Sequence, residues 1–139
     1  MITENASGAV VYQIKDGQPQ YLLLKSATSD FWGFPKGHVE GAETDLETAH
    51  REIQEETQLD VTVDPEFHVV LDYDMQNGHH KHVVLYTAKV ANDVTITRQK
   101  VEISDFGWFP YSEARATLSY ANLQGALDKA HAYLTAGAL

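Results

Sequence analysis

A predicted helix in the first half of the chain constrains the fold more than any other segment. Thr44 and Glu47 have the S/T-x-x-E spacing of a capping box, in which each side chain accepts a hydrogen bond from the backbone N–H of the other residue. The spacing predicts a helix from about Asp45 to Thr57. Apolar runs typical of strands lie before and after this helix, so the chain must combine a helix with a sheet.

The predicted helix has an apolar side and an adjoining acidic side. The apolar side consists of Leu46, Ala49, Ile53 and Thr57. Glu52, Glu55 and Glu56 share a neighbouring arc about 100° wide, where each like-charged pair costs roughly 0.2–0.5 kcal/mol. Mg²⁺ prefers hard oxygen ligands and would remove this repulsion. The alternative interpretation is a solvated acidic face without a ligand.

The other apolar segments predict a sheet and two more helices. Strands are expected at 9–14 and 21–24, which form a hairpin, and then at 61–63, 67–73, 82–90 and 106–109. The strands at 61–63, 67–73 and 82–90 are predicted to be central, and the turn Gln76-Asn77-Gly78 joins the last two of them. Helical spacing is found at 112–118 and 122–134. This mixture predicts an α/β or α+β fold.

Composition limits the number of domains and the kinds of partner. The chain has 139 residues, 43% of them hydrophobic, which suits a single domain over residues 1–139. It contains no cysteine, so a metal site must use oxygen or imidazole ligands. Its net charge of −10 disfavours binding to duplex nucleic acid, and a polyphosphate would need cations or a local basic pocket. The sequence lacks a signal-peptide pattern and a membrane-spanning apolar run, which predicts a cytoplasmic protein.

The segment from Gly37 to Leu59 resembles the signature of the Nudix hydrolases. That signature is G-x5-E-x7-R-E-U-x-E-E-x-G-U, where U is a large aliphatic residue. This chain fills it with Gly37, Glu43, Arg51, Glu52, Ile53, Glu55, Glu56 and Leu59. The resemblance implies an α/β/α sandwich around a central mixed sheet. It also implies that an acidic helix holds one to three divalent cations against a pyrophosphate.

The same resemblance implies a role for each charged residue of the signature. The implied metal ligands are the Gly37 carbonyl and the carboxylates of Glu52, Glu55 and Glu56. Arg51 is implied to pair with Glu43 and so to hold the ligands in place, as partners of metal ligands generally do. The alternative for Arg51 is an exposed ion pair with Glu47, which lies four residues earlier on the helix.

One position departs from the signature, because Gln58 stands where the pattern has glycine. That position lies just past the helix, where the backbone often takes the left-handed conformation. Glutamine adopts this conformation at a cost of roughly 1 kcal/mol. We therefore expect strain at the end of the helix and an intact set of ligands.

Residues outside the signature resemble one branch of the family, the asymmetrical diadenosine tetraphosphate hydrolases. The run Pro35-Lys36-Gly37-His38 leads into the signature as it does in that branch, which implies that Lys36 and His38 face phosphate. Glu102 stands shortly before Trp108, and the resemblance places this glutamate near the metal ions. A solvated turn is the alternative environment for Lys36.

Basic residues further along the chain are candidates for binding the distal phosphates. Lys81 resembles a phosphate-binding lysine of the same branch, and a charge at a strand edge is its alternative role. The histidines beside it either add positive potential or lie in a solvated hairpin turn; they are His79, His80 and His82.

Aromatic residues are candidates for stacking on a nucleotide base. Tyr73 is the first choice, because it ends an apolar run and is flanked by Asp72 and Asp74, as expected of a strand end near a polar cleft. The other candidates are Phe31, Trp32 and Tyr120. Core packing is the alternative role for each of these rings.

Together these features predict a Mg²⁺-dependent or Mn²⁺-dependent hydrolase of a nucleoside polyphosphate, most specifically of diadenosine tetraphosphate to ATP and AMP. Glu52, Glu56 and Glu102 are the candidates for the general base, with Glu56 preferred. The rival substrates are modified nucleoside triphosphates, RNA 5′ ends and diphosphoinositol phosphates. A non-catalytic nucleotide-binding domain is the rival from another class. The sequence does not predict an oligomeric state.

Overall fold

The computed structural model describes residues 2–138 and has a β-sheet with helices packed on both faces. The strands are β1 (Thr3–Lys15), β2 (Gln18–Ser26), β3 (Trp32–Gly33), β4 (Lys36–His38), β5 (Val63–Asp74), β6 (His80–Lys89) and β7 (Ile103–Pro110). The helices are α1 (Asp45–Thr57), α2 (Tyr111–Thr117) and α3 (Ala121–Tyr133), and a short π-helical segment, Leu134–Ala138, follows. The predicted combination of helices with a mixed sheet is confirmed.

Strand β1 organises the sheet. The strand order is β3-β2-β1-β6-β5, with β4 also paired to β1 and β7 also paired to β2. The β1–β6 pair is parallel and the other pairs are antiparallel, so the sheet is mixed. The first half of β1 pairs with β4 and the second half with β2, while β6 lies along the opposite edge.

The two faces of the sheet are both buried, which explains the continuous apolar runs in β1 and β2. Side chains alternate between the faces along each strand. Val10 and Tyr12 pack in the cluster that contains Leu127 of α3. Ala9 and Val11 pack in the cluster that contains Ile53 of α1. Helices α1 and α3 therefore cover opposite faces.

Helix α1 begins where the capping box predicts. The Thr44 Oγ1 accepts a hydrogen bond from the Glu47 backbone N–H at 3.2 Å, and the Glu47 Oε1 accepts one from the Thr44 N–H at 2.9 Å. Ala49 and Ile53 are fully buried, as expected for the apolar side. Leu46, predicted on the same side, is instead 36% exposed, because the first turn of α1 lies at the rim of the core.

The structure corrects several predicted strands. The predicted strand 61–63 is wrong, because Val61 is buried in the α1-side core within a connection and only Val63 begins β5. Strand β5 lies at the end of the strand order rather than at the centre. Strand β1 begins at Thr3, earlier than predicted, because its polar first residues pair with β6. The short strands β3 and β4 lie in a stretch without a strand pattern.

Other predicted elements agree with the structure. The hairpin of β1 and β2 is present, and β7 contains the strand predicted at 106–109. Helices α2 and α3 lie within a residue of their predicted bounds. The turn before β6 is confirmed, with Gly78 in the positive-φ region at 85°. Within residues 2–138, no helix combines the length and the apolar character that crossing a lipid bilayer requires.

The end of α1 carries the strain expected from the glutamine in place of glycine. Gln58 has φ 62° and ψ 18°, which is the left-handed conformation, and its N–H donates to the Gln54 carbonyl at 2.8 Å. A side chain in this conformation is strained by contact between its Cβ and the backbone. The helix end is therefore formed at a local cost.

Replacing Gln58 with glycine is expected to raise the free energy of unfolding by about 0.4–1 kcal/mol, because glycine adopts the left-handed conformation without the Cβ penalty. Urea unfolding followed by circular dichroism measures the change. The matched control is Gln54→Gly, an exposed position in the helical part of α1, which is expected to lower stability by about 1 kcal/mol. Equal destabilisation by both substitutions would contradict the strain at Gln58.

Candidate functional site

Two glutamates of α1 are buried although they are acidic. Glu52 is 8% exposed and Glu56 is 6% exposed, whereas the Glu55 side chain is 47% exposed. The rotation of α1 that buries Ile53 also directs Glu52 and Glu56 toward the segment of β4. Burial of carboxylates is unfavourable unless partners compensate for it.

Gly37 allows the close approach of α1 to β4. A Cβ atom at Gly37 would overlap the carboxylate of Glu52, so any larger residue would displace that carboxylate. Register places Gly37 opposite Ser7 of β1, on the face of the sheet that α1 covers. The Gly37 backbone and the Glu52 carboxylate are therefore neighbours, as the family resemblance implies.

Arg51 is the cation that ties the acidic side chains together. Its Nε and Nη2 donate to the two carboxylate oxygens of Glu43 at 2.7 and 3.0 Å. Its Nη1 donates to Glu52 at 2.9 Å and to Glu55 at 3.1 Å. Its Nη2 also donates to the backbone carbonyl of His38 at 3.0 Å. Glu47, the alternative partner, instead belongs to the capping box.

Glu43 is held on three sides. Besides Arg51, it accepts hydrogen bonds from the Thr48 hydroxyl at 2.9 Å and from the Glu40 backbone N–H at 3.0 Å. The Arg51 hydrogen bond is the main reason that the pKa of Glu43 falls to about 2. Thr48 was not among the predicted site residues, because the signature leaves its position unspecified. Glu43 is thus a fixed anion that orients Arg51.

The environment of Glu56 favours its protonated form in the absence of a cation. Burial raises the pKa of Glu56 to about 8, and the neighbouring charges of Glu52 and Glu102 act in the same direction. The backbone N–H of Lys36 donates to Glu56 at 3.1 Å and partly opposes this shift. Burial also raises the pKa of Glu52. These three glutamates therefore interact electrostatically.

A loop between β6 and β7 delivers Glu102 to this group. The loop crosses the C-terminal end of α1, where the N–H groups of Thr97 and Gln99 donate to the carbonyls of Thr57 and Glu56 at 3.0 and 3.1 Å. These bonds satisfy helix carbonyls that otherwise lack partners. Polar loop residues gave no sequence signal for this contact, since it depends on tertiary packing.

Two adjoining cavities extend from the carboxylates. The first, of about 300 Å³, is lined by Leu24, Ser26, Thr28, Phe31, Gly33, Phe34, Lys36, Glu56, Glu102 and Ile103. The second, of about 140 Å³, is lined by Phe31, Lys36, Tyr73, Tyr120, Asn122 and Leu123. Lys36 and Phe31 line both cavities. The two cavities therefore adjoin each other at these two residues, and together they are called the cleft.

Lys36 is the cation at the junction of the two cavities. Burial lowers the pKa of its amine to about 8, and the charge of Lys81 acts in the same direction, while Glu56 opposes them. Lys81 therefore lies close enough to Lys36 for their charges to interact. The structure thus brings together Lys36 and Lys81, the two lysines that the family resemblance implies for phosphate binding.

The second cavity contains the aromatic residue chosen as first candidate for base stacking. Tyr73 and Tyr120 both line it, and the Tyr120 side chain is exposed. The Phe31 and Tyr120 rings meet edge to face, with their centroids 5.4 Å apart. Trp32, another candidate, instead packs against Phe109 in the core with a centroid distance of 5.7 Å.

His38 and its neighbouring histidines lie apart from this cleft. The His38 imidazole contacts Glu4 at 3.0 Å and lines a separate cavity with Thr3 and Asp45. His79 contacts the other oxygen of Glu4 at 2.6 Å. The structure therefore does not bring the His38 ring together with Lys36.

The two remaining histidines of this cluster are paired with aspartates. His80 contacts Asp72 at 2.9 Å and Asp74 at 3.1 Å, and His82 contacts Asp72 at 2.8 Å. Because the aspartates offset any positive charge on His80 and His82, these histidines add little positive potential beside Lys81.

The donor set near α1 fits a hard divalent cation. It consists of carboxylate oxygens from Glu52, Glu56 and Glu102, together with the adjacent Gly37 backbone; burial and then repulsion from the other two carboxylates raise the Glu56 pKa. Among residues 2–138, no three histidine or acidic side chains lie in positions from which they could hold a metal ion together. In this arrangement Arg51 occupies oxygens of Glu52 and Glu55 instead.

Known proteins resemble this chain over nearly its whole length. A family model, the NUDIX domain, matches residues 4–133. The asymmetrical bis(5′-nucleosyl)-tetraphosphatase of Caenorhabditis elegans is 31% identical over 135 residues, covering 93% of this chain and 95% of that protein. The protein of the same name from Sus scrofa is 31% identical over 119 residues, covering 83% of this chain and 80% of that protein.

A solved structure shares the fold as well. The crystal structure of a C. elegans Ap4A hydrolase binary complex matches with a TM-score of 0.89 at 28% identity. The match covers 96% of this chain and 98% of that chain.

Replacing Gly37 with alanine is expected to weaken Mn²⁺ binding by about 10-fold or more, because the new methyl group displaces the Glu52 carboxylate. The displaced group ends a flexible side chain, so the free energy of unfolding should fall by only about 1 kcal/mol. Electron paramagnetic resonance of free Mn²⁺ measures the affinity, and urea unfolding measures the stability.

The matched control for this substitution is Gly125→Ala in α3. Nothing lies near the added methyl group there, and alanine favours helix, so stability should rise by about 0.5–1 kcal/mol with Mn²⁺ affinity unchanged. Unchanged Mn²⁺ affinity in Gly37→Ala would contradict the proximity of this glycine to a cation site.

Proposed function

Because the chain belongs to the NUDIX domain family, we propose that it hydrolyses diadenosine tetraphosphate to ATP and AMP with a divalent cation. The broader activity follows from membership: the chain is a Nudix hydrolase that acts on phosphoanhydride bonds. Members of the family generally use divalent metal ions and act on small nucleotide substrates. The substrate and Mg²⁺ are the finer parts of this proposal.

One observation carries the choice of substrate. The carboxylate-lined cavity and the aromatic cavity lie side by side, since Lys36 and Phe31 line both. A dinucleoside polyphosphate has a long anionic chain that links two nucleosides, each of which carries a flat base on its ribose. The cleft offers the matching order, with the rings of Tyr73 and Tyr120 at one end, Lys36 in the middle and Glu56 at the other end. The names of the C. elegans and S. scrofa relatives agree with this choice.

The cation site of the proposal consists of Glu52, Glu55, Glu56, Glu102 and the Gly37 carbonyl. Mg²⁺ suits these all-oxygen ligands, and Mn²⁺ accepts the same set. When bound, the cation supplies stabilisation of the charge that develops on phosphoryl oxygens. Release of Glu52 and Glu55 from Arg51 frees their oxygens for this role, while the bidentate contact of Arg51 with Glu43 keeps the guanidinium in place.

Glu56 is the proposed general base. Water attacks a phosphorus atom of the polyphosphate, the bond to the bridging oxygen breaks, and Glu56 accepts the proton of the water. In the metal-free protein burial raises the pKa of Glu56 to about 8; a bound cation would favour the ionised carboxylate, which is the form that accepts a proton. The other two candidates serve as ligands in this assignment; Glu52 is bonded to Arg51, and Glu102 lies at the cavity wall.

The lysines are proposed to bind phosphate. Lys36 lies between the base pocket and the carboxylates, where a cation stabilises the substrate charge and the leaving phosphate. Lys81 lies near Lys36 and extends the positive region toward Tyr73, which is its neighbour on β5. His38 contributes through its backbone, which accepts a hydrogen bond from Arg51. Its side chain contacts Glu4 and lines a separate cavity, so we assign it no contact with phosphate.

The broader setting is also a proposal. A single domain over residues 1–139, a cytoplasmic location and the lack of duplex nucleic acid binding are consistent with the composition and the net charge of −10. Supporting the last point, the histidines near Lys81 are paired with carboxylates.

Product analysis tests the proposed function. Purified protein is incubated with diadenosine tetraphosphate, a panel of nucleoside triphosphates, capped RNA and a diphosphoinositol phosphate, each with Mg²⁺ and with EDTA. Chromatography is expected to resolve ATP and AMP, formed only with Mg²⁺ and faster than any panel product. Faster cleavage of another compound would overturn the substrate, and binding without cleavage of any compound would favour the non-catalytic rival.

The Glu56→Gln variant tests the assignment of the base. We expect a loss of at least about 10²-fold in kcat, because the amide cannot accept the proton. Its thermal stability in EDTA should not fall, since the substitution removes a buried acid. Glu113→Gln, at an exposed position in α2, is the matched control and should keep full activity. Activity of Glu56→Gln within a few-fold of wild type would rule out Glu56 as the base.

A further inference from the structure

One buried polar atom has no partner in the part of the chain that the structure describes. It is the side-chain carbonyl oxygen of Gln99, Oε1, which is buried and accepts no hydrogen bond from residues 2–138. Buried oxygens of this kind are paired in nearly all proteins, so an exception indicates a missing partner or a functional role. Sequence gave no indication of Gln99, which lies outside the family signature.

Gln99 is located between two acidic residues of the proposed cation site. Its backbone N–H donates to the Glu56 carbonyl at 3.1 Å. Its own carbonyl accepts hydrogen bonds from the N–H groups of Glu102 and Ile103 at 3.1 and 2.8 Å. The backbone of Gln99 thereby connects the end of α1 with the segment that carries Glu102. Glu102, Ile103 and Glu56 line the same cavity.

A divalent cation at the acidic residues beside Gln99 would supply the partner that this oxygen lacks. Mg²⁺ retains bound waters, and their O–H groups are hydrogen-bond donors. An amide carbonyl also ligates hard cations directly. Both contacts use the same property, a neutral oxygen acceptor.

We propose that Gln99 is a further residue of the cation site. Its Oε1 contacts the divalent ion or a water of the ion, and its backbone bonds set the spacing of Glu56 and Glu102. This inference rests on the proposed function, because it requires a cation at these carboxylates. It adds an uncharged oxygen to the acidic residues that would hold the ion. Apart from Gln99 and Glu102, the loop is assigned only backbone hydrogen bonds to the end of α1.

The proposal predicts opposite effects on stability and on metal binding. In the metal-free protein the buried, unpaired oxygen of Gln99 destabilises the folded state. An apolar side chain of similar length should therefore raise the melting temperature. With the ion present the same substitution removes a contact, which lowers metal affinity. A purely structural residue would not show this pair of effects, since its loss destabilises the metal-free protein.

Gln99→Met tests the proposal, because methionine has the same unbranched reach without the carbonyl oxygen. Mn²⁺ affinity is measured by electron paramagnetic resonance, and melting temperature is measured in EDTA and in Mg²⁺. We expect a melting temperature in EDTA at or above that of wild type, and Mn²⁺ affinity reduced by about 10-fold. Gln54→Met, an exposed glutamine on α1, is the matched control and should leave the affinity unchanged.

A second variant, Gln99→Glu, keeps an oxygen at the same place and adds a negative charge. It should lower the melting temperature in EDTA and retain or raise Mn²⁺ affinity, and it tests the proposal even if the methionine variant fails to fold. Wild-type Mn²⁺ affinity in Gln99→Met would overturn this inference alone, as would reduced affinity in Gln99→Glu. A wild-type protein that binds no Mn²⁺ would overturn the proposed function and this inference together.

Discussion

The burial of like-charged carboxylates on α1 is the constraint on which the rest of the site depends. Glu52 and Glu56 lie beside each other with almost no exposure, and Glu102 approaches from a loop. Such a group is unfavourable in a metal-free protein, and the structure meets the cost in two ways. Arg51 neutralises Glu52, while Glu56 is favoured in its protonated form. The fold thus holds a group of buried carboxylates whose mutual repulsion a divalent cation would relieve.

Ordinary structural elements position this arrangement. The capping box fixes the start of α1, and the glycine in β4 lets the helix approach the strand closely. The loop that crosses the C-terminal end of α1 satisfies its last carbonyls and presents Glu102. Lys36 then links the acidic end of the cleft to the aromatic end. The contacts that position the site residues therefore also connect the helix, the strands and the loop of the fold, so the stability of the fold and the geometry of the site depend on the same contacts.

The sequence predicted the features that depend on local spacing. The start of α1 follows from Thr44 and Glu47, and the strained helix end follows from Gln58 in a position that favours glycine. Features that depend on distant pairing were missed. The polar first residues of β1 form a strand because β6 lies beside them. The sequence left two roles open for the histidines near Lys81, and the contact of His79 with Glu4, which is distant in sequence, was not foreseen. Local sequence patterns do not show which strand or which acidic residue from a distant part of the chain will lie beside a given residue.

The carboxyl titration of Glu56 is the measurement that tests the account most directly. Carbon-13 NMR of the glutamate side-chain carboxyls, assigned with the Glu56→Gln variant, would be followed against pH in EDTA and in Mg²⁺. We expect the pKa of Glu56 in EDTA to lie near 8, well above the ordinary value of 4.5, and to decrease markedly when Mg²⁺ binds. An ordinary pKa in EDTA that does not respond to Mg²⁺ would contradict the claim that buried, mutually repelling carboxylates form the cation site.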